Sequence, residues 1–587
     1  MKHLPLPVTG LVVAAALALA ACSKSPDPAT PAAPRAATSA TAKAPQDGTD
    51  TADGIAWKKA SSDADIEAAF ATARAESKPV FLYWGAKWCP PCNQVQATLF
   101  NRQDFIERSR AFVAVYVDGD SPGAQKLGTR FRVSGYPTMV VLKPSGEEMT
   151  RLPGEVDPSR YTELLNLGMD AARPVKAVLA DALAGGQLLK PNDWRLLAFY
   201  SWDTDQTQVL GKDEVAPTLA KLAAACPEGQ PETAMRLRLK ALAALDAKTP
   251  ASADLAARPA VLAAVADPAR ARDVADLLVN FSEPIVRALA ASGTPERTES
   301  LATFDAALQR LEADATLSRA DRMQALIARI DLARIDLPEP VAGKPAPAPR
   351  LPEPLLAHVR EEVARADREI TNGYERQAVI TSAAYLLEQA GLGTESDALL
   401  KANLARSHSP YYLMSGLAGN AKRRGDNAEA LRWYREAFEK SEGPATRLQW
   451  GASYLAALVD LAPADEAAIE ATTLQLLREA ASQPDAFEQR SGRSLQRVSS
   501  DLHAARSASL RLGAAQSVSS SPRSRVIEAA WAPPWPQPCS FLPTRCRERP
   551  LRCSKASGWL AASRSSCTVV ASIAASSAGA RSTRAAR

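Results

Sequence analysis

Pro79-Val80-Phe81-Leu82-Tyr83-Trp84-Gly85-Ala86-Lys87-Trp88-Cys89-Pro90-Pro91-Cys92 is an apolar run that ends in a turn and two cysteines three residues apart. A short continuous apolar run bounded by a turn reads as a strand buried on both faces. The next stretch, Asn93 to Phe105, places Val95, Leu99, Phe100 and Phe105 at spacings a helix tolerates. The pattern therefore predicts a strand, a turn and a helix that opens at the cysteines. A sulfur at the start of a helix lies at the positive end of the helix dipole, which favours thiolate over thiol and makes Cys89 the nucleophile. Cys92 falls one turn on, where it can attack a mixed disulfide formed on Cys89.

Further along the chain, Phe112 to Asp118 reads as a second buried strand, Gly123 to Phe131 as a helical stretch and Met139 to Leu142 as a third strand. Pro144-Ser145-Gly146 is a hairpin turn into Met149 to Leu152, and a helix over Pro158 to Met169 closes the unit. The predicted order is βαβαββα, parallel crossovers with one antiparallel hairpin. Residues 55–170 so read resemble a thioredoxin-like α/β fold, a central mixed sheet flanked by helices, and within it the modules similar to the C-terminal domain of DsbD. The matching residues are Trp88-Cys89-Pro90-Pro91-Cys92, the strand end Val117-Asp118, Gly135-Tyr136-Pro137-Thr138 and Gly146. The resemblance implies thiol-disulfide exchange with protein disulfides as substrates, a DsbD-like electron donor, and no cofactor. It further implies that Pro137 is a cis-proline facing the disulfide, that the backbone of Tyr136 docks a substrate strand, and that Trp88 covers the pair.

Two departures qualify the chemistry. The acid that the family buries six residues before the first cysteine is here Tyr83, and a phenol with a pKa near 10 is a poor base at neutral pH. Pro90 and Pro91 carry no N–H, so two donors that would stabilise a Cys89 thiolate are missing. A moderately lowered thiol pKa and a reducing pair are the expected result. A bare C-x-x-C is often half of a zinc site, but no second pair stands within the domain, and His3, His358, His408 and His503 form no ligand spacing with it, so no metal is expected.

The chain starts Met1-Lys2-His3, runs apolar from Leu11 to Ala21 and reaches Leu19-Ala20-Ala21-Cys22. This is a signal-peptide pattern over 1–22, and Leu-Ala-Ala-Cys resembles the bacterial lipobox. The resemblance implies cleavage and lipidation at Cys22, an anchor in the cell envelope facing the periplasm, and, with Ser23 next, sorting to the outer membrane. Acyl chains contribute about 0.8 kcal/mol per buried methylene, enough for firm anchoring. Residues 23–54, rich in Ala, Pro, Thr and Ser, lack the apolar groups for a core and read as a disordered tether.

Beyond the redox unit, Ala, Leu, Arg and Glu dominate, with apolar residues three and four apart such as Leu219, Leu222, Leu237, Leu239 and Leu242, then Leu308, Leu311, Ile327 and Ile330. An all-α region is expected, in blocks 174–336 and 355–505 with a Pro-rich linker at 337–354. Ala430, Tyr434, Ala437 and Pro444, with Leu417 and Ala418 before them, resemble a tetratricopeptide repeat. Ala398, Ala402, Ala405 and Pro410 echo it one unit earlier. Such hairpins offer a face for a protein partner. Tyr411, Tyr412, Trp433, Tyr434 and Trp450 read as core, and Cys226 as a packed residue without a redox role. Residues 506–587 lose all periodicity, carry Cys539, Cys546, Cys553 and Cys567, and read as disordered or out of frame.

The formal charge of +5 is misleading about partners. From Arg506 onward there are 13 Lys and Arg against 2 acids, a balance of +11, so residues 1–505 carry 5 − 11 = −6. The body of the protein lacks the basic footprint of a nucleic-acid binder. The reading is thus a membrane-tethered exchange enzyme, most simply a protein-disulfide reductase, against the alternative of a helical-repeat binding or scaffold protein with an accessory redox fold.

Overall fold

The computed structural model describes residues 54–154, 157–205, 208–245, 257–337 and 351–515, the last stretch 504–515 as backbone only. Cys22 with its signal and lipobox, the four tail cysteines, most of the tether and most of the Pro-rich linker lie outside the described residues.

The sheet has five strands: β1 (Lys58–Lys59), β2 (Val80–Gly85), β3 (Val113–Asp118), β4 (Thr138–Leu142) and β5 (Glu148–Leu152), in the order β1-β3-β2-β4-β5. Strand β2 is central, parallel to β3 with Tyr83 opposite Tyr116, and antiparallel to β4 with Tyr83 opposite Met139. All six residues of β2 are buried, as an uninterrupted apolar run requires. Alternate side chains serve two cores. Val80, Leu82, Trp84, Val115 and Val140 pack under α1 (Asp63–Glu76) and α4 (Ala124–Arg130), while Phe81, Tyr83, Ala114, Met139 and Val141 face α2 (Pro90–Thr98), α3 (Gln103–Ser109) and α5 (Pro158–Met169). The predicted strands, hairpin and closing helix are all present. The sequence reading misses β1 and α1, although α1 announces itself through a capping box in which Ser62 and Asp65 satisfy each other's backbone N–H. Gly146 sits at φ 88° in the β4–β5 turn, a conformation side chains resist.

The remainder is helical: α6 (Val175–Leu183), α7 (Pro191–Ala198), α8 (Val215–Ala225), α9 (Pro231–Ala243), α10 (Arg258–Ala266), α11 (Pro268–Asp273), α12 (Ala275–Leu289), α13 (Pro295–Ala313) and α14 (Arg319–Arg334). After the linker come α15 (Glu353–Glu369), α16 (Gly373–Gln389), α17 (Gly393–Asn403), α18 (Pro410–Arg424), α19 (Asn427–Lys440), α20 (Pro444–Leu461), α21 (Glu466–Ala481) and α22 (Gln489–Ala515). Many of the prolines are helix starts: Pro90, Pro158, Pro191, Pro231, Pro268, Pro295, Pro410 and Pro444 are each the first residue of their helix, where the missing N–H would have had no intrahelical partner. Helix α22 runs on to Ala515, past the boundary at 505 read from composition.

Two features of packing depart from a reading of separate domains. Val178, Trp194, Leu197, Leu219 and Leu237 of α6–α9 share one core with Phe81, Tyr83 and Tyr161, so the change of composition near 174 is not a core boundary. The small residues of the repeat-like segment divide. Ala418, Ala430 and Ala437 are fully buried where α18 and α19 fold back on each other across Gly425, but Ala398, Ala402 and Ala405 are exposed. The earlier echo therefore supplies no close helix contact, because its alanines point to solvent.

Candidate active site

Cys89 is the N-cap of α2 and Pro90 and Pro91 are its first two residues, so the first amide able to point at the Cys89 sulfur is that of Cys92. It does so, with N–H donating to Sγ at 3.2 Å. The two cysteines form a disulfide with Cα atoms 5.2 Å apart. Asn93, buried just behind, donates from Nδ2 to the carbonyls of Lys87 and Cys89, both at 2.8 Å, and holds the loop against the helix start.

The segment before β4 lies alongside. The Tyr136–Pro137 bond is cis. The ring of Tyr136 meets that of Trp88 edge-on, centroids 6.2 Å apart. Gly154 passes so close that a Cβ there would lie 2.7 Å from Pro137 Cγ, which explains a glycine at that point of the chain.

Tyr83 occupies the position of the missing acid. It is buried, stacked on Tyr116 and edge-on to Phe100. Burial, aided by the neighbouring Asp118 charge, raises its phenol pKa far above the ordinary value, so Tyr83 is no base. The acid at the end of β3 is Asp118, half-buried opposite Gly85, and desolvation raises its carboxyl pKa as well. In the sequence Asp118 stands out only as a strand end; the signal for more is an acid placed at the close of an otherwise apolar strand.

Sequence reading does not foresee the cover over the pair. Cys89 and Cys92 are 2% and 1% exposed, and they belong to the same apolar cluster as Ile380, Ala384, Tyr411, Leu413 and Trp450 of the helical region. Trp88 stacks on Tyr412 with centroids 5.8 Å apart and meets Trp450 edge-on at 5.1 Å. These aromatics are core, as expected, but the core is built on the redox loop. Polar contacts surround it. Gln377 Nε2 donates to the Trp88 carbonyl at 3.5 Å, His408 Nε2 lies 3.1 Å from Asn93 Oδ1, and Gln94 Nε2 donates to Asp321 at 2.8 Å. Burial lowers the pKa of His408, so the imidazole is neutral at pH 7.

Asp120 is the hub. Its carboxylate accepts from Trp88 Nε1 at 3.0 Å, from Thr446 N at 2.9 Å, from Thr446 Oγ1 at 2.7 Å, and from Arg490. The Arg490 guanidinium also lies 5.1 Å from the ring centroids of both Trp88 and Tyr136. Gln125 ties α4 to the same segment: its N–H donates to Asp485 at 3.0 Å and its Oε1 accepts from Arg490 N at 2.9 Å. Among the described residues no three His, Cys, Asp or Glu side chains are placed to hold a metal ion. Cys226 is a free thiol packed against the core that α6–α9 share with the sheet, and burial pushes its pKa up to about 11.

Comparison with known proteins gives the same domain. A family model described as a thioredoxin-like domain matches residues 66–168. The chain is 29% identical over 113 residues to the thiol:disulfide interchange protein DsbD 1 of Pseudomonas aeruginosa, 19% of this chain and 19% of that protein. It is 30% identical over 106 residues to DsbD 2 of the same organism, 17% of this chain and 18% of the other. A thioredoxin from Thermus thermophilus solved in solution is 28% identical, covering 19% of this chain and 85% of that one, with a TM-score of 0.17. The chain spans about a fifth of the length of the curated relatives it matches.

Proposed function

With residues 66–168 a thioredoxin-like domain, we propose that the chain is a membrane-tethered periplasmic thiol-disulfide exchange protein, acting as a protein-disulfide reductase through Cys89 and Cys92. The observation that carries this reading is the cysteine pair, disulfide-bonded at the N-terminus of α2 inside that domain. In the reduced form the Cys89 thiolate attacks one sulfur of a client disulfide, joining Cys89 to the client and releasing the other client sulfur as a thiolate. Cys92, deprotonated, then attacks the Cys89 sulfur. The client leaves with both sulfurs reduced, and two electrons have passed from the Cys89/Cys92 dithiol to it. A DsbD-like dithiol donor returns the pair to the reduced state. Trp88, Tyr136 and Pro137 form the client-docking edge, as the resemblance implies. Asp118, at the end of β3 beside the strand that leads into the cysteine loop, is the acid proposed to serve as proton acceptor in place of the absent carboxylate at position 83.

The anchor is the lipid on Cys22, in the outer membrane facing the periplasm, with 23–54 as tether. Among the described residues no helix is long and apolar enough to cross a membrane. Cys22→Ala is expected to lose acylation and leave the membrane fraction. Recovery of lipidated variant from membranes would remove the anchor from the scheme.

Trapping tests the chemistry. Cys92→Ser is expected to accumulate mixed disulfides through Cys89, seen on non-reducing gels after alkylation, while Cys89→Ser accumulates few, since Cys92 lies inside the helix rather than at its cap. Equal trapping by both would reverse the assignment of the nucleophile.

A second reading, a helical-repeat binding or scaffold protein with an accessory redox fold, has one observation in its favour: the helical region buries both sulfurs. Turnover of insulin disulfides by the full chain, absent from Cys89→Ser, distinguishes the two.

A further inference from the structure

We propose that helices α16, α18, α20 and α22 form a cap latched over Cys89–Cys92, and that exchange with a protein disulfide requires the cap to open. The inference rests on the exchange reading above and assigns its regulation to the chain itself. Thiol-disulfide exchange brings a third sulfur into line with the two of the pair, so the attacked sulfur must be reachable by a client. Here neither sulfur is reachable, and the apolar cluster that encloses the pair is built largely of helical-region residues beyond the redox domain, with Trp88 and Tyr136 of the domain packed into it.

A ring of polar and ionic contacts distinguishes the cover from the rest of the helical region. Helices α6–α9 join the sheet through a continuous apolar core and cannot leave without exposing it. The cap also shares an apolar core with the redox loop, in which Trp88, Cys89 and Cys92 join Ile380, Ala384 and Trp450, but this core is ringed by polar and ionic contacts of which the Asp120 hub is the centre. The seat is close: Gly443, at φ 86°, approaches so tightly that a Cβ would lie 2.6 Å from the Asp120 side chain. Yet the closed state leaves Nε and Nη1 of the buried Arg490 without a hydrogen-bond partner. A buried ion pair gives up hydration that its mutual attraction only partly returns, and unpaired N–H groups regain water on opening. The ionic part of the latch is therefore specific in position but modest in net strength, which suits a cover that must release.

The test uses the full-length chain, oxidised, with Arg490→Met and Thr446→Val as latch variants outside the exchange machinery. The first readout is the rate at which dithiothreitol reduces the Cys89–Cys92 bond, followed by quenched alkylation and mass spectrometry of the peptide that carries both cysteines. The second is insulin reduction. The cap predicts slow reduction of the wild type and acceleration of about tenfold or more in each variant, with a urea dependence far shallower than that of global unfolding and with insulin turnover rising in parallel. Wild-type reduction as fast as that of the guanidinium-unfolded chain, with no gain in either variant, overturns the cap and leaves the exchange reading intact. Acceleration by dithiothreitol without insulin turnover in any form upholds the cap and overturns the exchange reading. Acceleration that carries the full urea dependence of global unfolding overturns the cap, because the variants then merely destabilise the fold.

Discussion

Replacing Asp120 by asparagine removes one charge from the hub while keeping its size. The Asp120 and Arg490 side chains are only 12% and 9% exposed, so the guanidinium left behind stays buried without its ion-pair partner. Breaking a buried pair from one side costs about 3–5 kcal/mol. Coulomb attraction between unit charges about 4 Å apart at an effective dielectric of about 20 is about 4 kcal/mol, in the same range. Arg490→Met costs less, about 1–2 kcal/mol, since the carboxylate retains Trp88 Nε1 and both donors of Thr446. The double variant is expected to cost about 2 kcal/mol or more less than the sum of the singles. A chain of this size need not unfold in one step, so the assay is native-state hydrogen exchange of peptides from α20 and the first turns of α22, which reports local opening. A loss of about 3 kcal/mol there is an acceleration of about a hundredfold. If the two substitutions add to within about 0.5 kcal/mol, the charges do not couple and the ionic account of the latch fails.

Ala430 is fully buried between α18 and its neighbours, so Ala430→Trp is expected to lower stability by about 1–3 kcal/mol, read as a lower melting temperature; an unchanged melt would place Ala430 on an open face. Burial, reinforced by Glu283, pushes Asp331 in α14 from 3.8 up to about 6. The folded chain thus holds that proton more tightly than the unfolded one, and the associated stability is complete below about 3.8 and lost as pH rises through about 6. At neutral pH the loss is at most about 3 kcal/mol, from about 2 pKa units at 1.36 kcal/mol each. Asp331→Asn should melt higher than the wild type at pH 7.5 and at the same temperature near pH 4. Parallel melting curves across that range would show that Asp331 titrates normally.

The redox unit is legible because its signals are local. A continuous apolar run forces a central strand, a glycine forces the β4–β5 turn, and prolines at 90 and 91 can open a helix but not sit inside one. Cys89 at the helix start follows from those facts, and the order of the strands from β2 to β5 and of the closing helix follows from the spacing of the apolar runs, while β1 and α1 before them do not. The helical class of the remainder is equally plain from its periodicity. Periodicity, however, marks which residues are buried, not which neighbours bury them. Nothing near Tyr412, Trp450 or Arg490 in sequence distinguishes a core facing another helix from one facing Trp88, some 300 to 400 residues earlier in the chain. The alanines at 398, 402 and 405 keep the same rhythm as those at 430 and 437, yet only the later set is covered, because a neighbouring helix lies there. Local chemistry alone thus places the cysteine pair at a strand-to-helix turn and makes the chain beyond the redox unit helical. That those helices close over the cysteines is a property of the folded chain, since the pairing of Asp120 with Arg490 and the stacking of Trp88 on Tyr412 exist only once distant segments meet.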